Sequence, residues 1–326
     1  MKQRSLGRQG LQTSTLGLGT MGMTMAYGAA DDTHSTATIH RAHELGVTMF
    51  DTAQLYGHGR GTSEQLLGRA IHDYRDDVIV ATKFGFDFDK TTTIPGMPGF
   101  EMPTLSSTPA KIREVTDDSL RHLDTDYIDV LYQHRVDPNV PIEEVAGTVG
   151  ELINAGKVRY FGLSEAPPDV IRRAHAVQPV SVLQSEYSIF QRWNEHDVLP
   201  VVRELGIGFV AYSPLGRGFL TSSIRSRTEY DVGDIRRTDP FWQDEDYEAN
   251  IAAIFELTTL AAARGITLAQ FALAWLLAQG PDIVPIPGTR SPARLEENLA
   301  AAEIDLTADE LARVTTILPR GGHRNR

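Results

Sequence analysis

Eight short β-type runs, separated by stretches of helical periodicity, recur along the chain at residues 15–19, 47–51, 78–83, 127–132, 158–163, 180–184, 207–212 and 283–286. Several are continuously apolar, as in Val78-Ile79-Val80-Ala81, the mark of a strand covered on both faces. Strands of that kind with helices between them build parallel sheets, and eight of them suggest an α/β fold closed into a single (β/α)8 TIM barrel. A chain of 326 residues is long for one compact domain but ordinary for one barrel. We therefore read residues 1–318 as one barrel domain and residues 319–326 as a disordered tail.

Local signals agree with this frame. Thr62-Ser63-Glu64-Gln65, Thr267-Leu268-Ala269-Gln270 and Thr307-Ala308-Asp309-Glu310 have the form of capping boxes. Pro109, Pro141 and Pro292 stand where a first helical residue belongs. Leu6-Gly7-Arg8-Gln9-Gly10-Leu11 reads as an N-terminal β-hairpin closing the barrel floor. Residues 84–108 and 216–248 break the rhythm; rich in Gly, Pro and polar residues, they are expected as long βα loops over the active face.

Composition excludes several classes of function. With 31 Lys and Arg against 43 Asp and Glu, the net charge is −12, which argues against a nucleic-acid partner or a polybasic membrane anchor. The absence of cysteine removes disulfides, thiolate metal sites and a Cys nucleophile, and fits a reducing compartment. No apolar signal core opens the chain, and no apolar run reaches the roughly 20 residues of a membrane span. The expectation is a cytoplasmic protein with a small-molecule partner, no membrane or nucleic-acid partner and no metal; the oligomeric state is open.

Chemistry gathers at three successive strand ends. Phe50-Asp51-Thr52-Ala53 runs on to Tyr56, Ala81-Thr82-Lys83-Phe84 ends the next run, and Leu131-Tyr132-Gln133-His134 the one after. In a parallel barrel these ends converge on the face that carries activity. A phenol has an unperturbed pKa near 10, and an adjacent ammonium stabilises its phenolate and lowers that value. Tyr56 beside Lys83, itself held charged by Asp51, therefore suits protonation of a carbonyl oxygen, with His134 orienting or polarising the same oxygen. Singly, Asp51 could be a helix cap and Lys83–Asp51 a structural pair; together and in this order they favour catalysis.

Near the other end, Ser291 with Pro292 behind it caps a helix whose free N–H groups form an anion-binding end, flanked by Arg290 and Arg294. Gly216 and Gly218 would let the backbone after the seventh run approach a pyrophosphate closely. Tyr27, Phe86, Trp193, Phe241 and Trp242 are aromatic, sit on loops over the expected active face and are candidate substrate-pocket walls. Gly17-Leu18-Gly19-Thr20-Met21-Gly22 matches a dinucleotide fingerprint, but residues 23–30 read as loop where a helix should open, so a Rossmann domain is rejected. His40 and His43 share a helix turn without a third ligand and read as surface residues.

These phrases resemble the aldo-keto reductase superfamily along nearly the whole chain, and the run from Tyr132-Gln133-His134-Arg135 to Asp137-Pro138 is similar to its microbial and plant NADPH-dependent branch. The resemblance implies an oxidoreductase, of alcohol dehydrogenase or carbonyl reductase type, that reduces an aldehyde or ketone by hydride transfer from NADPH, with Asp51, Tyr56, Lys83 and His134 as its catalytic tetrad. It implies further that Thr20, Met21 and Asp51 lie by the cofactor, that Ser164 and Gln184 hold the nicotinamide amide, and that Tyr212 stacks on its ring. Ser213, Pro214, Leu215, Gly216, Arg217 and Gly218 would follow the pyrophosphate. Gly288, Thr289, Arg290 and Arg294 would take the 2′-phosphate, favouring NADPH over NADH, with Glu297 and Asn298 on the adenine. Gln54 and Glu165 depart from the Glu and Asn of many relatives, and Glu165 is given no cofactor contact. Two rivals stay open: a nucleotide-binding redox sensor with slow turnover, and an aldolase using Lys83 as a Schiff base, which a neighbouring Asp51 disfavours.

Overall fold

The computed structural model describes residues 1–93, 101–221, 224–231, 233–239, 242, 244–319 and 321. Its strands are β1 (Gln3–Leu6), β2 (Leu11–Ser14), β3 (Leu18–Gly19), β4 (Met49–Asp51), β5 (Ile79–Phe84), β6 (Phe86–Thr93), β7 (Glu101–Leu105), β8 (Ile128–Gln133), β9 (Val158–Ser164), β10 (Val180–Glu186), β11 (Gly208–Tyr212) and β12 (Ile283–Pro285). The helices are α1 (Asp32–Glu44), α2 (Thr62–Ile71), α3 (Pro109–Leu123), α4 (Ile142–Asn154), α5 (Pro168–Val177), α6 (Val198–Leu205), α7 (Asp244–Ala263), α8 (Leu268–Ala278), α9 (Pro292–Leu299) and α10 (Ala308–Ile317).

Eight strands pair in parallel in the order β3-β4-β5-β8-β9-β10-β11-β12. Each expected run contributes one of them, with ends that differ by up to three residues. The sheet curls until its edges meet: Gly17 N–H donates to Pro285 O at 3.0 Å, Gly19 N–H to Pro287 O at 3.4 Å, and Gly19 bridges Gly288. This seam explains the misleading glycine motif. A Cβ on Gly17 would lie 2.9 Å from Ile286 Cγ2, and one on Gly19 would lie 3.0 Å from Ile286 O. The two glycines let the first and last strands touch.

The continuously apolar strands have two buried faces, as their composition requires. Met49, Ala81, Val130, Tyr132, Val182, Val210 and Val284 fill the barrel interior, while Phe50, Val80, Leu131, Leu183 and Phe209 belong to the layer under the helices. The β1–β2 hairpin plugs the floor with Leu6 and Leu11. Arg8 N–H donates to Gly206 O at 2.8 Å, and the Arg4 guanidinium to Gly280 O and Ile283 O at 2.8 and 2.7 Å.

Several local expectations need correction. Residues 84–108 hold an antiparallel hairpin, β6–β7, running from the pair Phe86–Leu105 to Thr93–Glu101; its β-branched Thr91-Thr92-Thr93 run is the strand signal that the polar composition hid. The Thr267 and Thr307 capping boxes form, but α2 is capped by a left-handed Gly61. Glu64 on that helix is buried, accepting Thr82 Oγ1–H at 2.7 Å and facing His122 Nδ1 at 3.2 Å. Pro141 is the N-cap of α4 rather than its first residue. Among the described residues of 216–248, short 3₁₀ turns form at Gly216–Gly218, Arg227–Glu229 and Ile235–Arg237, before α7 opens at Asp244. Gly321, in the stretch expected as a disordered tail, bridges Gln191, and residues 320 and 322–326 lie outside the described residues. Among the described residues no single helix is long and apolar enough to cross a membrane.

The floor contact is testable. Gly7 has φ +74 and a Cβ there would sit 2.7 to 2.9 Å from Gly206 O, Gly208 N and Ser181 O, whereas Gly156 has φ +75 with nothing within 4 Å. Gly156→Ala should lose about 1 kcal/mol for the left-handed backbone alone, and Gly7→Ala about 2 to 4 kcal/mol through added overpacking. Urea unfolding midpoints of the two variants compare them directly.

Candidate active site

Asp51 ends β4, Lys83 is the penultimate residue of β5, and His134 follows β8 directly, so three adjacent strands deliver them to one face. Tyr56 arrives on the short loop after β4, where Tyr56 N–H donates to Ala53 O at 3.0 Å. Lys83 is buried, at 1 % exposure of its side chain. Its ammonium donates to Asp51 Oδ1 at 2.6 Å, to Thr52 O at 2.8 Å and to the Tyr56 hydroxyl at 3.3 Å. All three of its donors are thereby used. Gln184, from β10 on the far side of the barrel, donates Nε2–H to Asp51 Oδ2 at 2.7 Å. The His134 ring stands edge-on to Tyr56 and to Phe86, with centroids 6.0 and 5.3 Å apart.

The electrostatics follow from burial and this contact set. Burial works against the Lys83 ammonium, but Asp51 and Tyr56 outweigh it and keep Lys83 above the ordinary lysine value. For Tyr56, burial raises the phenol above its usual 10 despite the opposing pull of Lys83. That corrects the expectation of a lowered tyrosine: the resting group is a firmly protonated acid. Burial, then the Lys83 and Arg135 charges, push His134 well below the usual histidine range, so it is neutral near pH 7.

Beside Asp51 and Tyr56 opens a cavity of about 660 Å³ that runs along the loop after β11 to the start of α9. Of the residues expected at a cofactor, Met21, Asp51, Tyr212, Ser213, Pro214, Leu215, Arg217, Gly218, Gly288, Thr289, Arg290, Arg294, Glu297 and Asn298 line it. Thr20, Ser164, Gln184 and Gly216 do not line it. Thr20 donates its hydroxyl to Asp51 O at 3.0 Å, Gln184 serves Asp51, and Gly216 is buried in its own turn. Arg290 is already committed: its guanidinium donates to Ala29 O at 2.5 Å and Tyr27 O at 3.1 Å. The exposed Arg294 side chain makes no hydrogen bond or ion pair among the described residues.

The loop after β11 crosses the cavity mouth and fastens to the loop after β3. Ile235 N–H donates to Ala26 O at 3.1 Å, and the Arg236 guanidinium, paired with Asp234 at 2.6 Å, lies over the Tyr230 and Tyr27 rings at 3.9 and 5.0 Å. Arg217 pairs with Asp239 and, at 3.1 Å, with Glu186. Tyr27 lines the cavity, and Phe86 packs on His134. Trp242 does not line it: at 1 % exposure it packs on Phe219 and donates Nε1–H to Arg225 O at 3.1 Å within its own loop. Trp193 packs against the helix-side core, and Phe241 lies outside the described residues. Tyr230 and Arg236 escape a reading of the sequence, because only loop-to-loop contact brings them here.

Comparison with known proteins agrees with this arrangement. Residues 15–319 match the model of the aldo/keto reductase family. The chain is 39% identical over 318 residues to a probable aldo-keto reductase 1 of Glycine max, covering 97% of this chain and 88% of that protein. Its fold is similar to the glycerol dehydrogenase AKR11B4 from Gluconobacter oxydans, with a TM-score of 0.86 at 31% identity over 98% of this chain and 95% of that one. It is also similar to the holo form of the aldo-keto reductase AKR11C1 from Bacillus halodurans, with a TM-score of 0.81 at 29% identity over 99% and 98% of the two chains. With its eight-stranded parallel barrel and a near full-length match, this chain belongs to the aldo/keto reductase family, oxidoreductases that act on carbonyls with nicotinamide cofactors.

Proposed function

We propose that the protein is an NADPH-dependent reductase of aldehydes or ketones in which Tyr56 donates the proton. The observation that carries this reading is the use of the Lys83 ammonium. Of its three acceptors, Asp51 Oδ1, Thr52 O and Tyr56 OH, only the phenol holds a transferable proton, and only Asp51 and Tyr56 among them line the cavity. Tyr56 rests protonated, and when it gives up its proton the Lys83 charge 3.3 Å away stabilises the phenolate. Asp51 keeps Lys83 charged throughout. Neutral His134, edge-on to Tyr56, orients the carbonyl oxygen by hydrogen bonding rather than by protonating it.

The cavity's chemistry supports NADPH as the cofactor. Tyr212 offers a ring face, residues Ser213 to Gly218 offer backbone with left-handed turns at Ser213, Gly216, Arg217 and Gly218, and α9 offers a Ser291-capped N-terminus. Arg294 would hold the 2′-phosphate, while Arg290 fixes the wall of the cavity; Glu297 and Asn298 would meet the adenine. Bound there, the nicotinamide supplies the hydride. The small-molecule carbonyl would enter beneath the loop that crosses the mouth. Similarity to a glycerol dehydrogenase adds glycerol oxidation with NADP⁺ to an assay panel of aromatic aldehydes, quinones and α-dicarbonyls.

Tyr56→Phe should lower turnover by about 10²- to 10⁴-fold while NADPH still binds with the affinity of the unaltered protein; unchanged turnover in steady-state assays at 340 nm would refute the proton-donor role. Because the acid form of Tyr56 is the working one and its pKa lies above 10, turnover should stay level from about pH 6 to 9 and fall only beyond about pH 10. No inflection from His134 is expected in that range. Arg294→Ala should raise the NADPH dissociation constant by about tenfold or more and leave NADH binding unaltered, as fluorescence titration with the two nucleotides would register.

A further inference from the structure

Ser164, at the end of β9, stands between two opposite charges that no neighbouring residue neutralises. On the β8 side, Arg135 donates Nη1–H to His134 O at 2.6 Å and to Ser164 Oγ at 3.3 Å; neither acceptor is charged. On the other side, Glu165 accepts the Glu186 N–H on Oε1 at 2.8 Å, again without a cation. Among the described residues neither Arg135 nor Glu165 has an ion-pair partner within 4.0 Å, although both are half-buried. The other charges nearby have partners of opposite sign, Lys83 with Asp51 and Arg217 with the two carboxylates Glu186 and Asp239.

The geometry also fixes where Glu165 acts. Its backbone has φ +54, a region that L-residues occupy at a cost and that concentrates at functional sites. The turn carries its carboxylate to the end of β10, where Glu186 is the registered partner of Tyr212 on β11. One strand spacing is about 4.8 Å, so this carboxylate is held within reach of the residue proposed to stack on the nicotinamide. Arg135 occupies the opposite flank of Ser164, on the His134 side. Half-buried charges at such a distance are screened far less than surface ones.

A nicotinamide ring is neutral when reduced and a cation when oxidised. We propose that Glu165 and Arg135 are opposed charges at the nicotinamide end of the cavity that set the relative affinity for oxidised and reduced cofactor, Glu165 favouring the cationic ring and Arg135 the neutral one. The inference rests on the reading that a nicotinamide cofactor binds with its ring at Tyr212. It assigns Glu165 a Coulombic role, distinct from that of a strut between β9 and β10. A strut would need only the oxygen that accepts the Glu186 N–H, and Gln supplies one.

The test is titration of the full-length protein with NADP⁺ and with NADPH, without carbonyl substrate, for the unaltered chain, Glu165→Gln and Arg135→Gln, with thermal midpoints measured alongside. The two nucleotides share their adenosine end, so effects there cancel in the ratio of dissociation constants. Glu165→Gln should weaken NADP⁺ relative to NADPH by about three- to thirtyfold, and Arg135→Gln should move the same ratio in the opposite direction. Ratios that stay put, or that shift in the same direction in both variants, would overturn the proposal while leaving the cofactor reading intact. If the unaltered chain binds neither nucleotide, the cofactor reading itself falls and takes this inference with it. Should Glu165→Gln fail to fold, the sign of the Arg135→Gln shift still decides.

Discussion

An ammonium group held out of water organises this molecule. Burying a lysine charge alone carries a penalty of several kcal/mol, and Lys83 avoids it only because Asp51, Thr52 and Tyr56 each present an acceptor in reach. All three acceptors belong to the end of β4 and the loop that follows. The pairing of Asp51 with Ala81 across β4 and β5 therefore sets the geometry of the proposed acid as firmly as any side chain does. Gln184 extends the arrangement through the barrel, since its bond to Asp51 joins β10 to β4 above an interior packed with Tyr132, Val130 and Val182. The apolar layer below gives the polar cluster a rigid floor; the cluster in turn gives the open end of the barrel a reason to stay assembled.

How much of this could be read from the sequence depends on the range of the interactions. The barrel strands were legible because residues such as Val80 and Leu131 are apolar in runs, and a strand buried on both faces leaves that trace locally. The convergence of Asp51, Lys83 and His134 followed from their places at strand ends. The β6–β7 hairpin was hidden because its strands pair with each other outside the barrel and need no apolar alternation. Thr62 looked like a cap, but the helix begins one residue earlier than that reading requires, with Gly61 as its N-cap. Arg290 and Arg294 look alike in sequence, and only the approach of the Tyr27 and Ala29 carbonyls separates the committed arginine from the free one.

The same distinction governs charge. Lys83 meets Asp51 across two adjacent strands, Arg217 meets Glu186 and Asp239 from separate segments, and Arg236 meets Asp234 within its own turn. Among the described residues Arg135 and Glu165 have no ion-pair partner, and they flank a single serine. A net charge of −12 says nothing of either arrangement, because matched pairs within the protein cancel locally while an unmatched pair leaves a directed field.

The seam between the first and last strands has a consequence for how the barrel holds its shape. β3 and β12 are short, at 2 and 3 residues, and the backbone that joins them, Gly19 with Pro287 and Gly288, forms part of the cavity wall. A molecule seated there spans both ends of the cyclic sheet and acts as a removable staple across its weakest join. By mass action any such occupant draws the equilibrium toward the closed ring. Resistance to heat and proteolysis would thereby read out occupancy of the proposed cofactor site.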